Sequence, residues 1–124
     1  FIIDGQEQRV LFMHPDSQAR YAVDVQEGSS LAFLLATSPE SWDQPGDGVT
    51  FSVYVESDQG TEQIFSTYID PKQDPGARRW HSYTLELGKY AGQAVTIILE
   101  TGSGPAGDNR FDWAGWGAPR LLAP

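Results

Sequence analysis

A chain of 124 residues is one domain's worth of sequence, long enough to bury a core without metal or disulfide staples and too short for two independent domains. Hydrophobic residues at 40% exclude disorder, and eight basic against seventeen acidic residues leave a charge of -9 that repels a phosphate backbone, so nucleic acid is excluded as a partner. The absence of Cys removes disulfides and thiolate chemistry, while thirteen Gly and eight Pro oppose long helices.

Val10 and Phe12 share one side of an opening strand that stops at His14-Pro15-Asp16, because Pro15 cannot pair and Asp16 and Ser17 favour a turn. Tyr21, Val23 and Val25 then point one way and Arg20, Asp24 and Gln26 the other, the pattern of a strand with one wet face. Residues 31–36 are apolar on both sides and predict a central strand covered on both faces, their length favouring strand over helix. Ser38 as N-cap and Pro39 at the first helical position predict a single helical turn, after which residues 43–48 read as loop.

The clearest strand places Val49, Phe51, Val53 and Val55 inward and Thr50, Ser52, Tyr54 and Glu56 outward. Residues 58–61 turn it back into a partner at residues 64–69, making a hairpin. The longest irregular stretch, residues 70–79, holds Pro71, Pro75 and Gly76 and is the first candidate for a functional loop. Beyond it Tyr83, Leu85 and Leu87 face inward with His81 on the same face, and Trp80, Ser82, Thr84 and Glu86 face outward. Residues 89–92 turn the chain into Val95, Ile97 and Leu99, a second long loop spans residues 102–109, and the chain closes through Trp113 and Trp116, expected to pack the first and last strands together. About eight short strands with no helical periodicity predict a single all-β domain, a two-sheet antiparallel β-sandwich of the jelly-roll type.

The run from Trp80 through Glu86-Leu87 to Tyr90-Ala91-Gly92-Gln93-Ala94-Val95 resembles the signature of galactose-binding-domain-like jelly rolls. Residues 104–108 with Asp112-Trp113-Ala114-Gly115-Trp116 and Leu121 are similar to the ending of the NPCBM type, a carbohydrate-binding module attached to some glycoside hydrolases. Val49, Phe51 and Val53 are similar to that module's central strand. One departure stands out: the His that the module carries beside its final Asp has no counterpart between Asp112 and Trp113. The resemblance implies a non-catalytic carbohydrate-binding accessory module of a larger extracytoplasmic protein. The alternative is a structural or protein-interaction sandwich that braces a neighbouring catalytic or membrane domain and binds no sugar, since one scaffold serves many ligands.

A sugar site needs an aromatic face and convergent polar groups. Trp80, outward by alternation, with Arg78 and Arg79 before it, is the first candidate; Trp42 with Asp43 is the second, and Asn109 and Arg110 on the loop after residue 102 are expected to help. Against this, Trp80 packed under its own loop and Trp42 as a lid over one end of the sandwich are the structural alternatives. Asp43, Asp47, Asp108 and Asp112 are candidate ligands of one structural calcium, which the resemblance also implies; turn aspartates solvated by water are the alternative. No Gly-x-Ser-x-Gly elbow, His-Glu-x-x-His or phosphate loop occurs, and no enzymatic activity is expected.

The opening at Phe1, without an initiator Met, reads as a domain cut from a longer polypeptide. The longest apolar run, residues 31–36, falls far short of the roughly 20 residues that cross a bilayer, so no direct membrane insertion is expected. The expected partners are carbohydrate or neighbouring domains of the parent, and the acidic surface favours a monomer in isolation.

Overall fold

Side chains alternate across a strand, and the computed structural model, which describes residues 1–124, follows that rule through most of its length. In chain order the strands are β1 (Ile2–Ile3), β2 (Gln6–Glu7), β3 (Val10–Phe12), β4 (Ser17–Asp24), β5 (Ser30–Thr37), β6 (Val49–Ser57), β7 (Gly60–Ile69), β8 (His81–Glu86), β9 (Ala94–Gly102) and β10 (Ala114–Leu122). One sheet runs β3-β10-β5-β8 and the other β4-β9-β6-β7, four strands each, while β1 and β2 form a separate hairpin. All pairs are antiparallel, so the expected two-sheet β-sandwich is the fold. Successive sandwich strands from β3 to β6 change sheet each time, as in a jelly roll.

The core lies between the sheets. Val49, Phe51, Val53 and Val55 of β6 are buried as their alternation requires, facing Phe33 and Leu35 of β5. Trp116 of β10 is fully buried, its ring 5.2 Å from Phe33 and 5.5 Å from Phe51, while Trp113 is half-buried beside Phe111. At the β7/β8 side Phe65 and Tyr83 meet edge to face at 4.7 Å and close the core there.

β5 sits between β10 and β8 and is buried on both faces, as its composition predicts. What covers its outer face was not foreseen. Asp4 and Gly5 both have positive φ, the backbone of a tight hairpin turn, and fold Phe1 and the β1–β2 hairpin back onto the outer side of the sheet. Gly115 and Gly117 of β10 make room: a Cβ would lie 2.6 Å from the Phe1 ring at Gly115 and 3.3 Å from the Trp80 ring at Gly117.

Two local readings change. Val10 and Phe12 do share a face, but Phe12 is 52% exposed and Leu11 packs on the core instead. The single turn after Ser38 exists as a 3-10 turn at Pro39–Ser41, yet the Ser38 side chain caps nothing; the Ser41 hydroxyl donates to the Ser38 carbonyl at 2.7 Å.

Candidate functional site

β7 and β8 each pair on one side only, so their free edges face each other along one open side of the sandwich. The loop of residues 70–79 connects them and is held by its own polar groups. Oδ1 of Asp70 accepts the Lys72 and Gln73 N–H groups, each at 3.2 Å, the turn that an Asp at a loop start favours. Asp74 Oδ1 accepts the Gly76 N–H at 3.0 Å and caps the 3-10 turn Pro75–Ala77, and Arg78 Nε donates to the Pro71 carbonyl at 2.8 Å.

Beneath this loop, between the two strand edges, lies a concavity of about 460 Å³. Its lining includes Thr67, Asp70, Gln73, Asp74, Arg79, His81 and Tyr83. Arg79 is exposed and its Nη1 spends one donor on the Trp80 carbonyl at 3.3 Å. His81 is buried and donates from Nε2 to the Ala77 carbonyl at 2.9 Å. Burial pushes its pKa below the ordinary histidine value, the carbonyl bond opposing, so the ring is neutral in the neutral pH range. The lining thus offers one cation, two carboxylates and an amide beside the rings of Tyr68 and Tyr83.

The other residues proposed from the sequence fall in three places. Trp80 is half-buried and turned away from the concavity: its ring stacks on Phe1 at 6.3 Å and 25°, and its Nε1–H donates to the Gln6 carbonyl at 3.2 Å. Alternation did put it on the outer face, but the N-terminal hairpin covers it there. The Asp4-Gly5 pair was the sequence signal for that hairpin.

Arg78, Trp42 and Asp43 are brought together but occupied with one another. Arg78 Nη2 donates to the Trp42 carbonyl at 3.2 Å and to Asp43 Oδ1 at 3.1 Å, with its guanidinium 5.7 Å from the Trp42 ring centre. Trp42 Nε1 in turn donates to the Thr37 hydroxyl at 2.9 Å. Asn109 and Arg110 are exposed on a separate loop, where Arg110 is clamped on Asp108 by bonds of 2.8–3.2 Å. That clamp holds the Asp108 carboxyl down at about 2.

Of the four aspartates expected at a calcium, Asp43 belongs to the Arg78 cluster, while Asp47, Asp108 and Asp112 share one electrostatic neighbourhood with Lys72. Asp112 is fully buried, and burial, with Asp47 and Asp108 adding to it and Lys72 opposing, pushes its carboxyl up to about 7. No group of three or more His, Asp and Glu side chains is arranged to hold a metal ion. Lys72, on which the loops of residues 45–47 and 110–112 converge, was not singled out from the sequence; its only signal was its place in the 70–79 loop.

The opposite open side of the sandwich has a different character. β10 shifts register between Gly117 and Arg120, and β3 pairs only with its residues 115–117. Below the shift lies a cleft of about 220 Å³ whose lining, with Tyr21, Val23, Leu31, Ile97, Pro119 and Leu121, is mostly apolar.

No family model matches the chain, and no solved structure matches it. The chain is similar to an uncharacterized protein of Archaeoglobus fulgidus, 44% identical over an alignment of 119 positions that covers 90% of this chain and 30% of that relative. The chain therefore spans less than a third of the length of the relative it matches.

Proposed function

We propose that the domain is a non-catalytic carbohydrate-binding module of a larger extracytoplasmic polypeptide, and that it takes a neutral oligosaccharide in the concavity beneath residues 70–79. The observation that carries this reading is the concavity itself: Arg79, Asp70, Asp74 and Gln73 stand around one shallow space on a loop already ordered by internal bonds. Sugar hydroxyls need donors and acceptors in fixed positions, and a preformed loop lowers the ordering cost of binding. The charge of -9 disfavours acidic glycans. The resemblance to NPCBM-type modules points to the same ligand class.

Binding in so open a site is weak. Titration calorimetry with a panel of neutral oligosaccharides is expected to give saturable heats for the native domain and about a tenfold loss for Arg79→Ala, the worth of one or two charge-assisted bonds. Absence of any saturable heat across the panel would overturn the reading.

A second reading, a module that braces another part of the parent chain, is favoured by the apolar cleft under Pro119 and Leu121. Tyr21 is 44%, Leu121 40% and Leu122 37% exposed along that side. Protection of Tyr21 and Leu121 from solvent labelling in a longer fragment, relative to the isolated domain, is its test.

A further inference from the structure

The side chain of Lys72 ends in a cradle with the composition of a cation site. Its Nζ donates to the carbonyls of Arg110 at 2.8 Å, Phe111 at 3.1 Å and Pro45 at 3.2 Å, and Oδ1 of Asp112 lies 3.6 Å away. The Lys72 side chain is 6% exposed and that of Asp112 0%. Neither carboxylate oxygen of Asp112 has a hydrogen-bond donor, and neither does the buried Oδ1 of Asp47. Around these three oxygens stands one ammonium and no N–H or O–H donor.

The backbone is shaped around that point. Phe111, which supplies one carbonyl, holds φ at 52°, a conformation that non-glycine residues keep only where their surroundings enforce it. Gly46 has φ 117°, and a Cβ on it would lie 2.6 Å from the Arg110 carbonyl oxygen and 3.1 Å from Nζ. Only glycine lets the two loops close on the ammonium.

Carbonyl and carboxyl oxygens converging from two separate loops, residues 45–47 and 110–112, make a hard-oxygen set of the kind that holds sodium or calcium. The residues present do not fit a free divalent ion, however, because the ammonium stands where the carbonyls converge, and Asp108 is spent on Arg110. We propose that this is a cation site whose resident cation is the tethered ammonium of Lys72, so that three loops close without a free metal ion, and that truncating Lys72 opens the site to a free cation.

Thermal unfolding of the native domain, Lys72→Ala and Lys72→Met, each with calcium chloride, ethylammonium chloride or tetramethylammonium chloride at matched ionic strength, tests this. The native Tm is expected to be unmoved by calcium or by chelator. Lys72→Ala is expected to melt lower and to regain at least about 5 °C with calcium or ethylammonium but not with bulky tetramethylammonium. Lys72→Met, which fills the space without charge, is expected to melt lower and not to recover. Should Lys72→Ala fail to fold by itself, its refolding yield with and without each cation reads the same two answers. A Lys72→Met protein as stable as the native one, equal recovery of Lys72→Ala with all three salts or with none, or a native domain that calcium stabilises would each overturn the proposal.

Discussion

The indole Nε1–H of Trp116 donates to the Thr101 hydroxyl at 3.0 Å, a bond that joins β10 of one sheet to β9 of the other inside the apolar core. Both side chains are fully buried. Thr101→Val strands the indole N–H and is expected to cost about 1–3 kcal/mol, and Trp116→Phe, which also leaves a cavity, about 2–4 kcal/mol. The double variant is expected to lose less than the sum, because the two changes break one bond. Urea unfolding of the three variants checks this.

Asp112 gives the domain an unusual pH dependence. Its carboxyl holds a proton up to about 7 in the fold against 3.8 when unfolded, so between those values unfolding releases a proton. The contribution of Asp112 is therefore fully present below 3.8 and lost as pH rises through about 7. Asp108 works in the opposite sense: with its carboxyl held at about 2, its contribution is present above 3.8 and lost as pH falls toward 2. The charged groups acting on Asp112 are Lys72, Asp47 and Asp108. Tm measured from pH 4.5 to 8.5 is expected to decline in the native domain, and Asp112→Asn to flatten that decline.

Two glycines with similar backbones separate strain from contact. Gly46 and Gly60 have φ of 117° and 114°, but a Cβ meets the Arg110 carbonyl at Gly46 and nothing within 4 Å at Gly60. Gly60→Ala is expected to cost about 1 kcal/mol from backbone strain alone, and Gly46→Ala more than about 2 kcal/mol. Equal losses in denaturant melts would show that the loops do not close as described.

Trp80 and Arg79 are adjacent in sequence and separate in role. Trp80→Ala removes the platform under Phe1 and the bond to Gln6, and is expected to raise amide exchange over residues 1–8 while costing about 1–3 kcal/mol. Oligosaccharide binding is expected to survive Trp80→Ala unchanged and to weaken about tenfold in Arg79→Ala. Hydrogen exchange and calorimetry on the two variants make the comparison.

The strands were legible because burial on one face imposes a period that Val49, Phe51, Val53 and Val55 display without interruption. The same rule placed Trp80 on the outer face but left its cover unread, since alternation reports which face a side chain takes and not what later covers it. The covering hairpin has strands of two residues each, too short to alternate, and only Asp4-Gly5 announces it. Trp42 and Asp43 were read together and Arg78 apart from them, beside Trp80; that Arg78 joins and neutralises Asp43 depends on distances between loops 35 residues apart. Lys72 was missed because three of its contacts are backbone carbonyls, which no side-chain pattern records.

The most direct test of the proposed function is a proton–nitrogen correlation map of the labelled domain titrated with neutral oligosaccharides. Saturable shifts are predicted for the amides of Asp70, Gln73, Asp74 and Arg79 and for the neighbouring strand edges at Thr67 and Tyr83, with the Trp80 indole signal unmoved. Shifts centred on Trp80, on residues 119–121 or nowhere would contradict it.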